Sequence, residues 1–221
     1  SRTLQLYLRA IRAVDSMQRK VGGKRMHLGV ARIVQYMVDQ AFEDPRQHLA
    51  LVNLKTDAAY SLRHPVHTLI LAIGLGQRLG MSRAALLDLG LSVLTADLGM
   101  MELPEDLREK TTQLSRGERD QLERHPLDSV AAILEGSRFD LSVRRWMRCA
   151  FEQHIGVDMG GYPKTLEWES LHLFSRIFAV CETYDALTTN TGWRDGLLPD
   201  EALSVMLQEA GVSLDPGLVT H

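Results

Sequence analysis

The feature that most constrains this chain is the spacing of its apolar residues. From Leu4 to about residue 210 they recur three or four apart, and nowhere do they alternate with period two for long. Leu4, Leu8, Ile11, Val14, Met17 and Val21 mark one stripe, and Val30, Ile33, Val34, Met37, Val38 and Phe42 mark the next. That period is the helical one. The spacing predicts helices over 4–21, 26–43, 46–60, 65–79, 83–95, 116–135, 142–151, 169–188 and 200–210. Breakers separate them: Gly22-Gly23, Asp44-Pro45 and Gly80. Ser82 is placed to cap the helix after it, Ser115 and Glu118 form a capping box, and Pro199 sits at a helix start. The expected fold is an all-α helical bundle with an N-terminal helical extension, divided as 1–59 and 60–221, with 169–188 near its centre.

Composition narrows the class. The chain has 221 residues, 45% hydrophobic and 24% charged, and a chain this long buries roughly 70% of its extended surface. Cys149 and Cys181 are its two cysteines, with no CxxC pair, which excludes a disulfide scaffold and a thiolate zinc knuckle. The longest apolar run surrounds Leu69 to Leu75, about half the roughly 18 residues that a membrane span needs. The opening SRTLQLYLRAIRA has no signal-peptide core and no initiator Met. The expectation is an internal or processed segment of a cytoplasmic protein, without a membrane span. Residues 1–30 carry seven Lys/Arg against Asp15 alone, leaving 18 basic against 27 acidic residues elsewhere. The main body therefore has no basic stripe for nucleic acid.

His64, Asp97, His125, His154 and Glu182 follow one another at gaps of 33, 28, 29 and 28 residues. Each gap spans about one helical arm and its return, so in a bundle these positions can converge. Imidazole and carboxylate together suit Fe, Mn, Zn or similar divalent ions. Read singly, each of these histidines is also an ordinary surface or capping residue.

Their local contexts are specific. They run Tyr60-Ser-Leu-Arg-His64, Thr95-Ala-Asp97-Leu-Gly99-Met-Met, Arg124-His125-Pro126, Gln153-His154 with Gly161-Tyr-Pro163 close behind, and Glu182-Thr-Tyr-Asp185-Ala-Leu-Thr188, closing on Leu214-Asp-Pro216. In order and spacing this resembles the HD-GYP domain, a branch of the HD phosphohydrolase superfamily, over about 60–217. The resemblance implies an all-α fold and, in active members, hydrolysis of cyclic di-GMP at a two- or three-metal site. It implies metal-ligand roles for His64, Asp97 (the carboxylate that bridges metals), His125, His154 and Glu182, and nucleotide contacts for Gly161, Tyr162 and Arg194.

The departures from that pattern are as informative. The His of the HD dyad is Ala96, the following Lys is Met100, and the first His of an HH pair is Gln153. Glu182 stands for an Asp, Ile155 for an acid, and Tyr60 offers no carboxylate where three-metal members have one. Two readings follow. One is a degenerate signalling or interaction module without phosphodiesterase activity, holding no metal or one weak divalent ion and retaining room for a cyclic dinucleotide. The other is an active metal-dependent cyclic di-GMP phosphodiesterase with an unusual two-metal shell. Expected partners are an upstream sensory or receiver domain, other proteins and a second copy of the chain. His67 reads as a polar rim residue, with replacement ligand as the alternative. His172 reads as a cap or decoration of the long helix, and Trp146 and Trp168 as core or edge residues.

Overall fold

A computed structural model describes residues 2–19, 26–54, 56–108, 110, 112–164, 169–190 and 195–221. Twelve α-helices run through the described residues: α1 (Arg2–Gln18), α2 (Met26–Glu43), α3 (Pro45–Leu49), α4 (Tyr60–Arg78), α5 (Arg83–Thr95), α6 (Glu105–Arg108), α7 (Arg116–Leu122), α8 (His125–Gly136), α9 (Leu141–Glu152), α10 (Leu173–Thr188), α11 (Pro199–Gln208) and α12 (Pro216–Val219). Two 3₁₀ turns, Ala50–Asn53 and Leu98–Glu102, complete them. No strand occurs among the described residues; the isolated bridges Ile155–Gly161 and Ala210–Leu214 are the extended pairings recorded. The architecture is the expected all-α bundle with added N-terminal helices.

Three expected helices are shortened or divided, at a loop, a proline or a cap. The 46–60 helix is only α3 and a 3₁₀ turn: Asp44 caps it through the Gln47 N–H and Leu51 is buried, but Leu54 is extended and the chain bends at Asp57 and Ala58. The 116–135 helix keeps its Ser115–Glu118 capping box but breaks at Glu123–Arg124, where Pro126 falls in the first turn of a new helix. The last of the three, α10, begins at Leu173 rather than 169 because His172 caps it, accepting from the Phe174 N–H at 3.1 Å. The Ser82 cap of α5 and Pro199 at the start of α11 are as expected.

Proline also shapes α4, which starts at Tyr60, five residues before the expected 65, and carries Pro65 in its second turn. Proline has no N–H to give the carbonyl four residues back, so the Ser61 carbonyl is freed. The Gln18 side-chain amide of α1 donates to it at 3.1 Å.

The core is continuous. Tyr7, Ala10, Val14 and Met17 of α1 and Val34, Met37 and Val38 of α2 belong to the same apolar cluster as Leu69, Leu89, Ile133, Ile177 and Met206. Helix α10 packs against α4, α9, α11 and α12, and α5 is packed between α2, α4 and α9. The stretch Arg83–Glu102 is long and apolar enough on composition to cross a membrane, but 61% of it is buried in the fold and α5 stops at Thr95. Helix α5 is a core helix of the bundle. Trp146 is buried in the core, whereas Trp168, Trp193 and Arg194 lie outside the described residues.

Candidate metal centre

Three side chains from three separate places meet at one end of the bundle. Asp97 follows the end of α5, His125 opens α8 and His154 follows α9. One ligand atom from each lies within 4.8 Å of the others. His125 Nε2 is 3.4 Å from Asp97 Oδ1 and 3.0 Å from His154 Nε2.

Local sequence fixes each of them. Pro126 leaves the Leu122 carbonyl without its helical donor, and the His125 Nδ1–H takes that place at 2.7 Å. This contact orients the ring so that His125 Nε2 faces Asp97 and His154. Gly99 holds the Asp97 turn against α8: its N–H donates to Ser129 Oγ at 2.7 Å, and a Cβ there would lie 2.1 Å from the His125 carbonyl. His154 is braced by Tyr162, whose ring stacks on it with centroids 4.7 Å apart. The Gly161-Tyr-Pro163 segment is an irregular loop beside this cluster. Gly161 has φ 84°, and the Tyr162 N–H donates to the His154 carbonyl at 3.1 Å.

The electrostatics favour a cation. Burial pushes the Asp97 carboxyl up, but the hydrogen bond from His125 and the charges of His125, His154 and His64 outweigh it and hold Asp97 below its ordinary value. Burial pushes His154 down, toward the neutral imidazole that ligates. The Asp97 side chain is 37% exposed, so an ion can reach it from solvent. The described residues thus contain a His/His/Asp cluster capable of coordinating one metal ion.

His64 and Glu182, the other two expected ligands, pair with each other rather than joining this cluster. His64 Nε2 is 3.5 Å from Glu182 Oε1, and its Nδ1 is 2.6 Å from Asp185 Oδ2. Burial works against charge on His64, yet the hydrogen bonds to Asp185 and Glu182 overcome it and push the imidazole up to about 10. His64 is therefore an imidazolium held between two carboxylates. It lines a small cavity with Asp97, which links the pair to the cluster.

His67 is corrected: it is not a rim residue but fully enclosed, with Nδ1 2.8 Å from Asp185 Oδ1 and Nε2 2.8 Å from the Tyr7 hydroxyl. Asp185 is the residue that sequence reasoning underrated. Its carboxylate takes both imidazoles and the Thr189 hydroxyl. The signal was present, since His64 and His67 are three apart on one helix face.

The two departures most damaging to a metal site touch each other. The Gln153 amide donates to the Ala96 carbonyl at 3.1 Å, Ala96 has no exposed surface, and Gln153 Oε1 is buried with no hydrogen-bond partner among the described residues.

Comparison with known proteins agrees with this architecture. A family model described as HD domain matches residues 46–218. A cyclic di-GMP phosphodiesterase of Pseudomonas aeruginosa is 30% identical over 167 residues, covering 76% of this chain and 40% of that protein. The cyclic di-GMP phosphodiesterase response regulator RpfG of Xanthomonas campestris is 27% identical over 143 residues, covering 65% and 37%. The chain thus spans about two fifths of the length of these relatives. A solved HDG"Y"P protein from Bdellovibrio bacteriovorus superposes with a TM-score of 0.78 at 16% identity, covering 98% of this chain and 68% of that one, a likeness of fold. With the family model matched over most of its length, this chain belongs to the HD-domain family and carries the fold of its HD-GYP branch.

Proposed function

We propose that this chain is a degenerate HD-GYP domain that works as a signalling or interaction module, holds at most one divalent ion, and does not appreciably hydrolyse cyclic dinucleotides. The observation that carries this reading is the contact between Gln153 and Ala96. Where the resemblance expects two metal-binding imidazoles, an amide is spent on a backbone carbonyl beside a methyl group. Amide and methyl groups are poor substitutes for imidazole as donors to Fe, Mn or Zn.

What remains supports one ion at Asp97, His125 and His154, a carboxylate with two imidazoles and open positions. An ion bound there would polarise a phosphate oxygen or a water. The same reading keeps His64 and Glu182 as family ligand positions now tied to each other and to Asp185. It keeps Gly161, Tyr162 and Arg194 as nucleotide contacts, and 1–59 and 60–221 as extension and domain. Partners would be an upstream sensory or receiver domain, other proteins or a second copy. Two buried, free cysteines fit a reducing, cytoplasmic setting.

A second reading has one observation in its favour. His64, which shares a cavity with Asp97, still has Glu182 beside it, so a second ion that displaced the His64 proton would give an active phosphodiesterase. A hydrolysis assay with Mn(II) and Fe(II), run beside calorimetry with cyclic di-GMP and metal analysis, separates the two. We expect no more than one metal per chain and no appreciable turnover. Turnover that is lost in Asp97→Asn would replace the first reading with the second.

A further inference from the structure

Helix α1 lies over the His64-bearing turn of α4, and it is fastened there at two points. Near its start, the Tyr7 hydroxyl meets His67 Nε2 at 2.8 Å. With the His67 Nδ1–H donating to Asp185, Nε2 is left to accept the tyrosine proton. From Asp185 the chain of contacts continues to His64 Nδ1 at 2.6 Å. At its end, the Gln18 amide donates to the Ser61 carbonyl that Pro65 leaves free, three residues before His64.

Between the two fastenings, Val14, Met17 and Gln18 wall a cavity whose other sides include His64, Asp97 and Phe178. Its volume is about 20 Å3, room for about one water molecule. Val14 and Met17 are themselves buried. On the His64 side a helix of the N-terminal extension therefore forms one wall of the centre.

We propose that α1 is a cover over the His64 side of the centre, and that moving it off α4 both opens the cavity between His64 and Asp97 and releases the Tyr7–His67–Asp185 chain that orients His64. In this proposal Tyr7, His67 and Gln18 are positioning residues. The proposal rests on the reading of His64 and Asp97 as parts of one centre, and it assigns control of that centre to the extension. The apolar and polar contacts act together. The two hydrogen bonds fix where α1 sits along α4, while Val14 and Met17 wall the space beside His64.

The test is deuterium exchange at the histidine C2–H, a reaction that proceeds through the imidazolium, on the full metal-free chain, located by tandem mass spectrometry, with exposed His221 as internal reference. In Met17→Asp, which sets a charge against the closed wall, His64 should react at least about tenfold faster than in the parent chain while His221 is unchanged. Tyr7→Phe and Gln18→Ala each remove one fastening and leave the apolar packing in place. They should give smaller increases of about threefold, larger when combined, and they carry the test if Met17→Asp does not fold. Equal His64 rates in the parent and all folded variants would overturn the proposal, as would an equal rise at His221. Uptake of Co(II), followed by its visible absorption, is the independent readout. Faster uptake in the variants supports the cover. Absence of Co(II) binding in every chain, with the His64 rates still rising, supports the cover and sinks the metal reading instead.

Discussion

The two halves of the candidate centre are built from the same side-chain types and have opposite characters. Around His64, carboxylates match imidazoles: Asp185 accepts from His64 and His67, and Glu182 faces the remaining His64 nitrogen. Around His125, two imidazole nitrogens 3.0 Å apart face each other beside one partly exposed carboxylate. The first half is complete without a ligand, and its charges hold helix α10 to α4. The second half has two ring nitrogens and a carboxylate oxygen pointed inward at one another, with a single carboxylate between two imidazoles, an arrangement that a metal ion can take up. Residue chemistry alone does not separate a structural ion pair from a metal site; what separates them is whether the protein has already supplied the counter-charge.

The comparison can be broken most forcefully at Asp185. In Asp185→Asn the buried histidines lose their counter-charge, and losing one partner of a buried pair costs about 3–5 kcal/mol. For a chain of this size that lowers Tm by roughly 10 °C, measured by thermal unfolding of the metal-free protein. The effect should depend on pH. Burial pushes Asp185 up, but the His64 and His67 hydrogen bonds hold it down at about 2, so its contribution is full above the ordinary 3.8 and is lost as pH falls through about 2. His64, raised to about 10, contributes fully below its ordinary 6.5 and loses that contribution as pH rises toward 10. The difference in Tm between parent and variant should be greatest between pH 3.8 and 6.5 and shrink on both sides. A difference that is flat with pH would remove the ion-pair account.

Asp97→Asn is the opposite probe. It should weaken Zn(II) binding by about 100-fold or more in calorimetry, beyond the range typical of outer-shell changes. It should shift the stability of the metal-free chain by less than about 1 kcal/mol, because the side chain is partly exposed. Equal stability losses in Asp97→Asn and Asp185→Asn would erase the distinction between the halves. A smaller effect is expected at Gly99, where a Cβ would fall 2.1 Å from the His125 carbonyl and 2.6 Å from the Ser129 N–H. Gly99→Ala should cost about 1–3 kcal/mol in denaturant unfolding and also weaken Zn(II) binding by parting Asp97 from His125. Ser129→Ala, which leaves the buried Gly99 N–H without its acceptor, should cost about 1–2 kcal/mol and alter metal binding least.

Periodicity made the helices legible because most of them bury one stripe. It failed at their ends where one residue outranked the stripe: Pro126 broke 116–135, and His172 capped α10 later than the stripe began. The motif order pointed to His64, Asp97, His125, His154 and Glu182, and the structure gathers Asp97, His125 and His154 in one cluster and pairs His64 with Glu182. What the sequence concealed was depth and distance. Helical spacing puts His67 on the same face as His64 but says nothing of how far inside the fold that face lies. Contacts such as Tyr7–His67 and Gln18–Ser61 join residues 60 and 43 positions apart, beyond any local pattern.

The Gln153–Ala96 contact also bears on reversibility. The space that an imidazole at position 96 would need is closed, since Ala96 has no exposed surface and its carbonyl is engaged by the neighbouring amide. A histidine at 96 alone would press into a packed core, and a histidine at 153 alone would strip the Ala96 carbonyl of its donor. The two positions are thus coupled through one contact, and a change at either is easier when the other changes with it.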